Sequence, residues 1–255
     1  ALKILAEKAG VALRQQPAGQ SNRRQRLFEV MSAATGFYHA VLDHKAGEQA
    51  KDYLKERGLV PKTIRQFEIG YAPMQWDILQ QALTKKGFTV EELEAAGLIG
   101  RTSSGKLFDR FRGRIMFPIR DARGRVVAFG GRIAPWAETG NEGKYINSPE
   151  TALYEKRVIV YNLDAAKQVL RKGEPCVVVE GYMDVVMLVQ AGIENVVATS
   201  GTAFTEGHVK QLQRYTDTLH FAFDADSAGM KAAIAATQAA LLAGMNVATI
   251  ELPAG

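Results

Sequence analysis

Past Pro175 the chain settles into one alternation: short apolar runs that suit a strand buried on both faces, each followed by a longer run of helical period. The runs are 176–180 then 182–191, 195–199 then 206–215, 218–224 then 228–243, and a closing strand at 246–252. Strands separated by helices pair in parallel, because each connection must return the chain to the end where it started. Right-handed crossovers then lay the helices over the sheet. In such sheets ligands collect outside the carboxyl ends of the strands. Glu180, the turn at 199–202 and Asp224 all fall there.

Those strand ends are acidic. The run CVVVEGYMDVV ends an apolar strand on Glu180 and opens a helix carrying Asp184, one turn further on, so both can face one point. HFAFDADSAGM repeats the device with Asp224 and Asp226. Taken singly, each acid is a ready helix cap: Asp226 before Ser227, and Glu180 or Asp184 near a helix N-terminus. Taken together they sit beside buried strands in a segment with 3 Lys and Arg against 8 Asp and Glu. Four carboxylates with few bases to neutralise them suit a hard divalent cation.

The charge is unevenly spread. Residues 1–100 hold 14 Lys and Arg against 11 Asp and Glu, and residues 101–175 hold 15 against 8. A basic middle beside an acidic end would hold polyanions near a metal site, although a solvated basic surface has the same composition. With 47% hydrophobic residues, 255 residues can bury one large core or two smaller ones. No apolar run approaches the ~18 residues of a membrane helix. No charged-then-apolar leader precedes Ala1, and the expectation is a cytoplasmic protein with no membrane partner. The single Cys176 forbids an internal disulfide and a cysteine zinc site, and reads as an inert buried thiol.

Upstream, residues 1–13 read as a helix end and 15–22 (QQPAGQSN) as a polar linker. Residues 26–57 predict one or two amphipathic helices stopped at Gly58, and 76–97 two more separated by 85–89. From 108 to 133 the pattern turns to β-rich runs with a hairpin turn at 121–124 (DARG). Gly130 and Gly131 complete no nucleotide-binding loop and read as a bend that lets backbone approach a ligand. The four histidines show no convincing metal pairing, and Met183, Met187 and Met230 read as core filling.

Several motifs occur in one order: YLKERGL (53–59), IGYAP (69–73), DRFRGRIMFPIRDARGRVVAFGGR (109–132), KYINSPET (144–151), then EGYMD, SGTAFT and FDAD. The two acidic elements resemble the TOPRIM domain of primases, topoisomerases and some nucleases. The whole set resembles the catalytic core of bacterial DnaG-type DNA primases, over nearly all of the chain. The fold this implies is α/β, an α+β N-terminal subdomain followed by a Rossmann-like parallel-sheet TOPRIM subdomain. The division expected is 1–20, a helix end and linker from a zinc module; 21–157, the basic mixed subdomain; and 158–255, the TOPRIM subdomain. The resemblance also implies a core truncated at both ends, with the zinc-bearing module and the helicase-binding region outside it.

The implied activity is that of a DNA-directed RNA polymerase making short primers on single-stranded DNA for replication, by two-metal nucleotidyl transfer with Mg²⁺ or Mn²⁺. Glu180, Asp224 and Asp226 would be catalytic and would ligate metal, with Asp184 as a further ligand. Arg57, Arg110, Arg112, Arg132, Lys144, Tyr145, Asn147 and Lys156 match the family's positions for nucleotide and nucleic acid, facing the metals across a cleft. Implied partners are the single-stranded template and ribonucleoside triphosphates. A replicative helicase and single-strand-binding protein would engage through regions outside this chain, at the replication fork on the nucleoid. The alternatives are another TOPRIM enzyme, a topoisomerase or nuclease, or a non-catalytic DNA-binding TOPRIM scaffold.

Overall fold

Two four-stranded sheets, one antiparallel and one parallel, carry the architecture of this computed structural model, which describes residues 18–140, 143–199, 201, 203–224 and 227–250. Helix α1 (Ala18–Asp43) runs first, burying Leu27, Val30, Met31, Ala34, Tyr38 and Leu42 at helical spacing along one stripe. It takes in residues 18–22 of the expected linker. Gly19 is a weak breaker worth roughly 1 kcal/mol, and the buried stripe downstream outweighs it. The rest of that linker and the expected helix end at 1–13 lie outside the described residues.

A single 3-10 turn (Lys45–Gly47) leads to α2 (Glu48–Glu56), α3 (Pro61–Gln66) and strand β1 (Gly70–Ala72). Helices α4 (Ile78–Lys85) and α5 (Val90–Ala95) match the expected pair, α5 opening on a Thr89–Glu92 capping box. After a small pair, β2 (Ile99–Arg101) and β3 (Leu107–Asp109), come β4 (Arg114–Arg120), β5 (Val126–Ile133) and β6 (Tyr145–Asn147). The order β1-β4-β5-β6 is antiparallel throughout and leaves β6 as an edge. The β4–β5 turn falls at DARG: the Asp121 carboxylate accepts from the Arg123 and Arg125 amides, and Gly124 takes φ +84°. In register, Phe117, Gly130 and Asn147 line one face, while Met116, Gly131 and Ile146 line the other.

Helix α6 (Leu163–Leu170) precedes the parallel part: β7 (Cys176–Val179), α7 (Tyr182–Gln190), β8 (Val196–Ala198), α8 (Glu206–Leu212), β9 (Thr218–Phe221), α9 (Ser227–Leu242) and β10 (Asn246–Thr249). The sheet order is β10-β9-β7-β8, all parallel, as the alternation requires. From β7 the chain crosses to β8 on one side and then to β9 on the other, so the direction of winding reverses beside β7. Glu180 and Asp224 follow the two strands that flank that reversal.

Period-two alternation splits β7 between two cores: Val179 joins the core of the antiparallel sheet, Cys176 and Val178 the core beneath α6, α8 and α9. The cysteine is buried and burial lifts its thiol well above the ordinary range, in keeping with an inert side chain. Met183 is in the core, whereas Met187 and Met230 are exposed at 36% and 61%, because their helices present those positions outward. Among the described residues no helix is long and apolar enough to cross a membrane.

Candidate active site

Strand β7 releases Glu180 where the sheet ends, and Gly181 caps the helix that follows. Asp184, at the third position of α7, turns its carboxylate back to accept from the Gly181 amide at 2.9 Å. The capping role thus holds for Asp184, and it fixes the direction of the carboxylate. On the neighbouring strand the Asp224 amide donates to Glu180 Oε1 at 2.9 Å, tying the two acidic strand ends together. Helix α9 closes on them through a glycine: a Cβ on Gly229 would lie 2.2 Å from the Asp224 carbonyl and 2.9 Å from Glu180 Oε1.

The Asp184 side chain reaches solvent, yet the surrounding protein raises its carboxyl above the usual range. Burial is the main cause and the Asp224 charge adds to it, against the Gly181 amide and Arg57, which oppose it. Among the described residues none of these three acids has an ion-pair partner, and no group of three His, Cys, Asp or Glu is disposed to hold a metal ion. Asp226 lies outside the described residues. The donor chemistry, carboxylate oxygens repelling one another at a sheet end, suits a divalent cation, and the described spacing alone does not complete a site.

The opposite wall comes from β5, β6 and α2. Tyr182, the first residue of α7, lays its ring across β5 where Gly130 leaves room; a Cβ there would lie 2.3 Å from the ring. The close approach expected at Gly130 therefore admits a protein side chain, and at Gly131 it admits Phe111 and Arg114. The Tyr182 hydroxyl donates to Asn147 Oδ1 at 2.6 Å, and its ring meets Phe117, Tyr161 and Tyr145 with centroids 5.5, 4.9 and 6.2 Å away. Arg132 donates to the Tyr145 hydroxyl at 2.9 Å and lies over the rings of Tyr53 and Tyr145. Burial raises the Tyr145 hydroxyl pKa, Arg132 pulls it down, and the Asp184 charge lifts it further, so the two walls feel each other.

The structure brings Arg57, Arg132, Tyr145 and Asn147 toward the acids. Arg110 and Arg112 go elsewhere. With Arg114, Met74 and Trp76 they line a cleft of about 270 Å³ whose other walls include Ile133 and Ile146, on the far face of the same sheet. Arg112 stacks on exposed Trp76, its guanidinium carbon 4.0 Å from the ring centroid, and donates to the Asp109 carbonyl. The buried Arg110 Nε finds no hydrogen-bond partner among the described residues. Asp109 is buried and accepts from the Leu79 and Gln80 amides; burial pushes its carboxyl up to about 6. Lys144 is exposed, and Lys156 is anchored by its backbone, the amide to Glu150 and the carbonyl to His208.

The motif KYINSPET has packing tasks of its own. Buried Ser148 exchanges hydrogen bonds with Phe129, Pro149 fills the space beside Gly97, and Thr151 caps the next turn. Sequence reasoning missed Trp76, Tyr53, Tyr182 and Gly229. EGYMD and YLKERGL contain the two tyrosines, but nothing local says that they cross to another sheet.

Residues 37–167 match the family described as the DNA primase catalytic core, N-terminal domain, and residues 177–255 match a Toprim-like family. A DNA primase of Synechococcus elongatus is 46% identical over 219 residues, 84% of this chain and 31% of that protein. The chain spans about a third of the length of the curated relatives it matches, 37% for the Pseudomonas aeruginosa primase. A DNA primase domain from Pseudomonas aeruginosa superposes with a TM-score of 0.82 at 44% identity, covering 90% of this chain and 72% of that one. A DnaG primase catalytic domain solved bound to single-stranded DNA gives 0.81 at 38% identity, covering 92% and 73%.

Proposed function

This chain belongs to the DNA primase catalytic-core family, and from that premise we propose that it joins ribonucleotides into short primers on a single-stranded DNA template. In that reaction a 3′ oxygen attacks the α-phosphorus of a ribonucleoside triphosphate, a P–O bond forms, and the bond to pyrophosphate breaks. The observation that supports this reading best is the joining of Glu180 to the Asp224 amide at the winding reversal, opposite the Arg132–Tyr145–Asn147 wall.

Toprim-like domains as a class are associated with divalent metal. We assign Mg²⁺ or Mn²⁺ to Glu180, Asp184, Asp224 and Asp226, and such an ion would supply positive charge for the attacking and leaving oxygens. The chain's own groups supply orientation. Glu180 has one oxygen held by the Asp224 amide, and its other oxygen would act as ligand and base. Arg57 and Arg132 offer forked donors to triphosphate oxygens. Tyr145, braced by Arg132 and by the ring of Tyr182, offers a face to a base or sugar. Asn147 is positioned by Tyr182, and Gly201 of the turn after β8 comes close to its amide.

Lys144 and Lys156 remain assigned to phosphates at the rim. Arg110, Arg112 and Trp76 suit the template at a distance from the chemistry, since a base can stack on the indole while the arginines meet its phosphates. The β6 edge then separates the template cleft from the reaction cleft. The division at 157/158 is supported by Tyr161, which pairs with Ala198 beside the parallel sheet, and by Val160 in that sheet's core. Contacts with a replicative helicase and single-strand-binding protein are proposed for the whole primase at the replication fork. Nothing in the described residues favours a topoisomerase, a nuclease or a scaffold. Incubation of the whole primase containing this chain with single-stranded template, labelled ribonucleotides and Mg²⁺ or Mn²⁺ should yield short RNA; strand cleavage, or binding without synthesis, would overturn the reading.

A further inference from the structure

Helix α2 ends in a tight closure whose left-handed backbone favours a glycine. Gly58, at φ +84°, donates to the Lys55 carbonyl at 2.9 Å, and the Leu59 amide reaches the Leu54 carbonyl at 3.0 Å. That closure uses two amides and leaves the Gly58 carbonyl and the Val60 amide facing away from the helix. Gln190, the last residue of α7, takes both: Nε2 donates to Gly58 O at 2.8 Å, and Oε1 accepts from Val60 N at 2.9 Å. One turn earlier on α7, Met187 lies against the same turn, 3.6 Å from where a Gly58 Cβ would be.

The residue just before this turn is Arg57, and the helix that grips it also carries Asp184. Two parallel hydrogen bonds from one amide fix distance and angle together, where a single bond would allow rotation. We infer that Gln190 is a positioning residue, which by clamping the turn at 58–60 sets Arg57 at its working distance from the acid-bearing end of α7. This rests on the reading of Arg57 and Asp184 as parts of a primase site. In sequence Gln190 is only a position near the end of the helical run at 182–191, with no role of its own; it is half-buried and far in sequence from the turn it holds.

The test uses the intact protein with Gln190→Met, which keeps length and removes both bonds, and Gln190→Glu, which keeps acceptance from Val60 and loses donation to Gly58. Amide exchange in a peptide covering 57–60 should speed up in Gln190→Met, with Gln190→Glu between it and wild type and the peptides of β7 and β9 unchanged. Primer synthesis should fall about tenfold in kcat for Gln190→Met, template affinity holding, as loss of roughly one well-made hydrogen bond's worth of alignment implies. In an Arg57→Ala background the same change should cost nothing further. Unchanged exchange at 57–60 overturns the clamp, whatever the activity. Losses that multiply with Arg57→Ala overturn its action through Arg57. A wild-type protein that clamps the turn but makes no RNA overturns the primase reading and the positioning role of Gln190 with it.

Discussion

The two walls of the site are built by different means. On the parallel-sheet side, backbone places the acids: strand ends deliver Glu180 and Asp224, a helix cap orients Asp184, and a bare glycine lets α9 close. On the antiparallel side, hydrogen bonds made by side chains place the donors: Arg132 to Tyr145, Tyr182 to Asn147, and Gln190 to the backbone of the 58–60 turn. A wall set by backbone should fail abruptly when disturbed. One set by side chains should weaken by degrees.

The sharpest probe of that difference is Gly229→Ala. Its Cβ would meet a backbone carbonyl, which cannot swing aside, so the acids must separate; activity should fall by about 100-fold or more, as ångström-scale misplacement does. Steady-state synthesis beside a thermal melt measures it, and near-parental activity would break the comparison. Gly130→Ala comes next: its Cβ meets the Tyr182 ring, and overpacking of this kind costs about 1–3 kcal/mol. Melting should register that loss, and synthesis should drop with it as Tyr182 leaves Asn147. Tyr182→Phe keeps the ring and removes one hydroxyl bond, so only a few-fold rise in nucleotide KM is expected, from about 0.5–1.5 kcal/mol.

How much of this was legible in the sequence follows the same division. The strand and helix alternation after Pro175 and the DARG hairpin were legible because periodicity and breakers are local properties. Glu180, Asp184 and Asp224 were placed at strand and helix ends for that reason. Helix α6 was not foreseen, nor was the partner of Gly130: a bare glycine announces a close approach without saying what approaches. The basic residues looked like one wall in sequence, but β-strand alternation sends Arg132 and Tyr145 to one face and opens the Arg110–Arg112 cleft on the other. Trp76 carried a signal of its own, an indole beside polar residues, that only the stacking of Arg112 makes meaningful.

In the arginine cleft the expected effects fall on salt and pH dependence. If Arg112 meets template phosphate, Arg112→Ala should lower the slope of log affinity against log salt by about 0.7 and leave nucleotide KM alone; the reverse pattern moves it to the triphosphate side. Behind it, Asp109 binds its proton more tightly folded than unfolded, so its contribution to stability is full at low pH and is lost as pH rises from about 4 to about 6, then is flat. Asp109→Asn should remove that slope from melts taken across the range, an effect of roughly 1–3 kcal/mol. A slope unchanged in the variant would assign it to another group.

The central claim is that Glu180 organises the reacting end of the parallel sheet. Ribonucleotide incorporation on single-stranded DNA by Glu180→Gln tests it most directly, since the change removes charge and almost no volume. The account predicts synthesis lower by about 1,000-fold, on the scale of losing a group that acts in the transition state, with the melting temperature and single-strand affinity close to the parent's. Incorporation within a few-fold of the parent would contradict it.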